Sequence, residues 1–165
     1  MIVFIIHYCY NMVVIATIER VVMKICCASG NRPHKFPWEY GEEKEHEKCL
    51  ADLARQIEEL IRYGHTYFIS GGALDVDQDF AETVLRAKKI RTNIKLKIAV
   101  SCKKQDERWS ESDKSRYITI IDKADKVTFL SEHYTRYCMQ KRNEYMVDKS
   151  NLNLVYWNGE EKGST

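Results

Sequence analysis

The sequence predicts an α/β fold: a doubly wound, mostly parallel sheet flanked by helices, in three layers. Three observations predict it. From Lys24 onward, short β-branched and apolar runs alternate with amphipathic segments of helix length. Helix-length crossovers between successive runs are what parallel strands require. The most informative loops (Ser29-Gly30, Ser70 to Asp77, Ser101 to Trp109, Leu130 to Tyr134) all follow strands, and such sheets bind ligands beyond those ends.

The elements follow in order. Lys24 to Ala28 is a first strand, ending at Ser29-Gly30, and a polar loop with Pro33 and Pro37 comes next. Glu42 to Tyr63 predicts a helix, with Leu50, Leu53, Ile57, Leu60 and Ile61 as its apolar stripe at helical spacing and Gly64 as its stop. Tyr67 to Ser70 is a second strand, and Asp77 to Lys89 a helix that buries Phe80, Ala81, Val84 and Leu85. Ile94 to Val100 alternates apolar residues with lysine, as a strand with one wetter side does. Glu111 to Lys123 is a helix carrying Tyr117, Ile120 and Ile121 inward. Lys126 to Leu130 is a fourth strand, Arg136 to Lys149 a helix, and Leu152 to Trp157 a fifth strand.

Residues 1–22 form an apolar extension, and residues 23–165 the domain proper. Met1 to Ile18 holds no Asp, Glu, Lys or Arg, but it includes His7 and Asn11 and lacks a basic n-region, so a membrane anchor is disfavoured. An added strand or helix, or translation from an upstream start with Met12 and Met23 as alternatives, is the plainer expectation. A length of 165 residues suits one core. Net charge is +2, too small to draw nucleic acid or an anionic membrane by its overall field. None of the six cysteines forms a CxxC pair, and no His/Cys spacing matches a zinc site. The expectation is therefore reduced thiols in a cytoplasmic protein, with no metal and no cofactor.

The stretch Phe68 to Gln78 carries the strongest local chemistry. It reads as a buried strand, a tight glycine turn and a helix start. Gly71 and Gly72, with Ala73 beside them, leave backbone N–H groups uncovered by side chains, and the helix N-terminus behind them favours negative charge. That is a seat for phosphate or another small anion, or simply a tight turn. Asp77 has two readings, acceptor for a sugar hydroxyl or cap of the helix that begins at Gln78. Gln78 itself is a ligand contact or helix surface. Arg32, just past Gly30, is a phosphate clamp or a surface arginine paired with the glutamates after Gly41. Cys102, Gln105 and Trp109 lie on the third loop, where the tryptophan stacks on a base or packs on the domain's own flank. Ser131 and Glu132 touch ligand or turn the chain.

Taken together, SGNRPHKF, ISGGALDVDQDFAE, IAVSCKKQDERW, ADKVTFLSEHY, MQKRNEYMVDKSN and LVYWNGEEKGST occur in order from Met23 to Thr165. This series resembles the YpsA/YoqJ-type branch of the SLOG superfamily, named for the Smf/DprA and Lonely-Guy proteins. The resemblance implies a Rossmann-like fold and a small nucleotide-like ligand at the sheet's carboxyl edge, and a sensor or sequestering protein is the reading that demands nothing beyond the residues present. It also makes homo-oligomers plausible, since many relatives pair. Arg142, with Asn143, sits in RNEYM, similar to the RKxxM segment whose arginine serves the Lonely-Guy active site. The resemblance thus makes Arg142 the phosphate or leaving-group contact, against a helix-surface salt bridge with Glu144 or Asp148.

Three departures bear on this. The family usually has glycine where this chain has Asp75, whose Cβ and charge both oppose an anion nearby. The first loop reads Gly30-Asn31-Arg32-Pro33 rather than GHRP. The chain ends at Gly163, Ser164 and Thr165, where the family has Gly-Gly-Thr and continues, so a C-terminal end truncated inside its last ligand loop is expected. The glutamate that follows that loop in Lonely-Guy hydrolases has no counterpart in the 165 residues, so nucleoside monophosphate hydrolysis is the alternative expected to be inactive. DprA-like DNA binding is a second alternative, with no strong nucleic-acid signal behind it.

Overall fold

The computed structural model describes residues 2–5 and 12–17 as backbone, and residues 23–30 and 43–156 in full. The described chain runs β1 (Ile2–Ile5), β2 (Met12–Thr17), β3 (Lys24–Gly30), α1 (Glu43–Arg62), β4 (His65–Ser70), α2 (Val76–Ile90), β5 (Lys95–Val100), α3 (Glu111–Lys123), β6 (Lys126–Phe129), α4 (Cys138–Asp148) and β7 (Leu152–Tyr156). The sheet order is β1-β2-β7-β3-β4-β5-β6. The five strands from β7 to β6 are parallel, and β1 and β2 add antiparallel at the β7 side.

Chain direction explains the layers. From β3 the chain steps through β4 and β5 to β6, then crosses back to place β7 on the other side of β3. Crossovers between parallel strands are right-handed, so a reversal of direction puts the connecting helix on the opposite face. Accordingly α1, α2 and α3 lie side by side on one face, and α4 covers β3 and β5 on the other. The larger core joins Cys26, Ala28, Phe68, Leu96, Ile98 and Leu154 to Leu53, Ile57, Phe80, Val84 and Ile120. The alternate strand residues Cys27, Ile69 and Ala99 meet Met146 of α4 in a smaller one. This is the expected α/β, three-layer, Rossmann-like architecture.

Most element ends shift by one or two residues from expectation, for local reasons. β3 continues to Gly30 because its last residues pair with Val155 and Tyr156. β4 starts at His65 because Lys24 pairs with it. α2 starts one residue earlier than expected, at Val76, and α4 two residues later, at Cys138. α3 begins where expected, with Ser110 accepting from the Asp113 N–H at 3.1 Å as N-cap. Gly64 ends α1 at φ 90°, a conformation that favours glycine. The five cysteines among the described residues are free thiols. No helix among the described residues is long and apolar enough to cross a membrane.

Candidate functional site at the carboxyl edge

The chain reverses direction between β3 and β7, which makes the crevice beyond those strand ends the natural ligand position. Gly30 and Tyr156 end the two strands in register there, and Gly71 follows β4 next door. Gly30 must be glycine, because a Cβ would lie 2.8 Å from Cγ2 of Val76, the first residue of α2. The strand end is thereby pressed against the helix start.

The turn from β4 to α2 is pinned by its own side chains. Ser70 Oγ donates to the Asp77 carbonyl at 2.6 Å and accepts from the Gly72 N–H at 3.0 Å. The Ala73 N–H donates to Asp77 Oδ2 at 3.2 Å. These two amides are therefore not the uncovered donors that the sequence suggested. Asp77 is also not the helix cap. It is the second residue of α2, and its carboxylate bends back over the turn while Asp75 holds the N-cap position. Gln105, also buried, braces the same turn from the third loop. Its Nε2 donates to the carbonyls of Gly71 (3.3 Å) and Gly72 (3.4 Å), and its Oε1 accepts from Ser101 N–H and Oγ.

Above the turn lies a buried ion pair. Arg142 Nη1 is 3.2 Å from Asp77 Oδ2, and both side chains are more than nine-tenths buried. Gly71 makes room for the pair: a Cβ there would lie 2.5 Å from Asp77 Oδ2 and 2.6 Å from Arg142 Cζ. Asn143 Oδ1 accepts from Arg142 Nε (3.1 Å) and Nη2 (2.9 Å), which fixes the plane of the guanidinium. Nη1 makes no hydrogen bond of good angle and so keeps unused donors. Burial pushes the Asp77 carboxyl above its ordinary value, an effect only partly offset by Arg142 and the Ala73 N–H. In place of the alternative surface bridge to Glu144 or Asp148, Arg142 makes a buried one to Asp77. Both amide atoms of Gln78 are buried without a hydrogen-bond partner, on a residue with no exposed surface. An unsatisfied buried amide is costly and marks a polar contact still to be made.

Asp75 adopts φ 67° and ψ −119°, the one described non-glycine residue at positive φ. An aspartate in a glycine's backbone region carries strain of about 1–3 kcal/mol. The remaining candidates disperse. Cys102 is buried just beyond the end of β5. Trp109 packs edge-on against Tyr117, with ring centres 5.3 Å apart, which is the flank-packing alternative. Ser131 Oγ donates to the His133 carbonyl, and exposed Glu132 pairs with Lys103. Arg32, Gly163, Ser164 and Thr165 lie outside the described residues.

Sequence reasoning missed a second polar network beside the turn. Asp79 of α2 has Oδ2 2.8 Å from His46 Nε2 on α1, and Oδ1 2.5 Å from Arg116 Nη2 on α3. Arg116 also grips Glu82 through Nε and Nη2, at 2.8 and 2.9 Å. Only the acidic first turn of α2 hinted at it; no periodicity links residues on three helices.

A Rossmann-like α/β protein with a braced glycine turn and a buried arginine at its carboxyl edge is the class that fold and site define. Residues 26–165 match the family model described as the YspA SLOG family, and the chain belongs to that family. The chain is 36% identical over 130 residues to the SPbeta prophage-derived protein YoqJ of Bacillus subtilis, covering 71% of this chain and 76% of that protein. It is 31% identical over 112 residues to a UPF0398 protein of Halalkalibacterium halodurans, covering 67% of this chain and 59% of the relative. A UPF0398 protein of Bacillus pumilus is 26% identical over 148 residues, 86% of this chain and 77% of the relative.

Proposed function

We propose that the protein binds a nucleotide or nucleotide derivative in the crevice beyond β3, β4 and β7, as a sensor or sequestering protein. Family membership supports a nucleotide-related role. The observation that carries the reading is the buried Arg142–Asp77 pair laid over Gly71, with Arg142 Nη1 still holding unused donors. In this reading Nη1 meets a phosphate oxygen, since charge-assisted contacts of this kind are the strong ones. Asp77, whose carboxylate already accepts from the Ala73 N–H, has a lone pair for a sugar hydroxyl. Ser70 and Gln105 keep the turn rigid, so that little ordering accompanies binding.

The test is a thermal-shift and calorimetric screen of AMP, ADP, ADP-ribose, NAD and cyclic nucleotides against wild type and Arg142→Gln. The expected result is a stabilising ligand in wild type, weakened at least tenfold in the variant. No shift with any of them, or equal shifts in both proteins, would overturn the reading. Sustained release of adenine from AMP would assign hydrolysis instead.

A further inference from the structure

The network joining α1 to α2 contains a set of groups that the nucleotide reading does not use. The ligand atoms of His46, Asp75 and Asp79 lie within 4.8 Å of one another. Nothing in their sequence spacing announces a metal site, because His46 stands on α1 and the two aspartates flank the start of α2. We propose that His46, Asp75 and Asp79 form a binding site for a divalent transition ion of the zinc class, on the outer flank of the β4–α2 turn.

Four observations carry this. First, His46 Nε2 and Asp79 Oδ2 meet as a hydrogen-bonded pair at 2.8 Å, and a widening to roughly 3.4 Å, the separation of neighbouring ligands around a tetrahedral ion with bonds of about 2.0–2.2 Å, lets the ion take the place of the shared proton. One imidazole with two carboxylates is a donor set for zinc-class ions rather than for calcium or magnesium, which take oxygen alone. Second, Asp79 is already oriented. Arg116 occupies Oδ1, so Oδ2 is turned to His46, and carboxylates that bind metals are commonly held in this way from behind. Arg116 shares its charge with Glu82 and is not spent on Asp79 alone.

Third, a polar group nearby lacks a partner. Tyr156 is 6% exposed and its hydroxyl makes no hydrogen bond. Burial pushes that hydroxyl well above its ordinary pKa, and Cys49, Asp52 and Asp79 add to the shift, so it lies within the field of Asp79. Fourth, Asp75 at the N-cap and Asp79 in the first turn of α2 stand at the helix pole that attracts negative groups. The strained backbone at Asp75 then has a role: it brings a carboxylate to the cluster that a glycine there could not provide.

The test is a Co²⁺ titration followed by d–d absorption, with Zn²⁺ competition and calorimetry, on the whole chain and on single variants. Wild type should bind one ion per chain. Asp75→Gly and His46→Gln should each weaken binding by about 100-fold or more, and Arg116→Lys by about 10–100-fold. Asp75→Gly also relieves the backbone, so its metal-free melting temperature should not fall, and its loss of binding is not unfolding. Cys49→Ser should bind as wild type does. No Co²⁺ binding, equal affinity in Asp75→Gly, or a sulfur-to-cobalt absorption band abolished by Cys49→Ser would overturn the proposal. Because the ion alone is the probe, the outcome is independent of whether a nucleotide binds.

Discussion

Two aspartates at opposite edges of the sheet carry their charge in opposite ways. Asp125, between α3 and β6, receives Lys88 Nζ at 2.6 Å, Lys95 Nζ at 3.1 Å and the Leu96 N–H at 2.9 Å. Burial opposes its ionisation, but these three donors outweigh that and draw its pKa down to about 2. Asp77, at the carboxyl edge, has one arginine and one N–H, and there burial wins. At the amino edge Asp125 is served by three donors, as befits a group whose task is to hold the fold. The carboxyl edge keeps a buried charge under-served, with unused donors on Arg142 and an unsatisfied Gln78 beside it. Stability that is withheld at one edge and supplied at the other is the pattern expected when one edge awaits a ligand.

The comparison can be broken most sharply at Arg142. Arg142→Ala leaves Asp77 buried without its cation and should cost about 3–5 kcal/mol in urea denaturation. Adding Asp77→Asn in that background should recover most of the loss, whereas a benign single variant would show that the pair is not a buried one. Gly71→Ala follows, because its methyl would meet both partners. A loss of about 1–3 kcal/mol is expected, together with loss of any nucleotide-induced thermal shift. Asp75→Gly acts in the other direction. It should stabilise the metal-free chain by about 1 kcal/mol or more, read as a rise in melting temperature of about 2–4 °C for each kcal/mol.

The smallest effect gives the finest test. Asp125→Asn should cost about 1 kcal/mol or less at neutral pH, since its ion pairs are partly exposed. Its folded pKa is depressed, so its contribution is full above the unfolded value of roughly 3.9 and is lost as pH falls through about 2. Asp77 has a raised folded pKa, so the sign reverses. Its contribution is full below roughly pH 3.9 and is lost as pH rises through the folded value. Stability differences from Asp77→Asn and Asp125→Asn should therefore slope in opposite directions with pH. Parallel slopes would remove the distinction between the two edges.

The framework was legible because apolar periodicity states which face of an element is buried. Leu53, Ile57 and Leu60 mark α1, and Phe80, Ala81 and Val84 mark α2, without reference to the rest of the chain. The glycine doublet was legible as a turn for the same local reason. What its amides bind was not. Ser70 Oγ and the carboxylate of Asp77 reach Gly72 and Ala73 only once the turn has closed. Arg142 was singled out, but its partner was sought on its own helix. The true one comes from α2, across the backbone of Gly71. His46 carried no signal, since its meaning lies in the distance between two helices.

The pairing of β2 with β7 has a practical corollary. Met12 to Ala16 lies in ladder with Leu152 to Tyr156, so the extension closes the outer rim of the strand that ends at the crevice. A protein begun at Met23 would lose that cover and present a row of open amide and carbonyl groups, a template for any extended polypeptide that meets it. Choice of start codon would then decide which strand forms that rim of the sheet, β1 or β7.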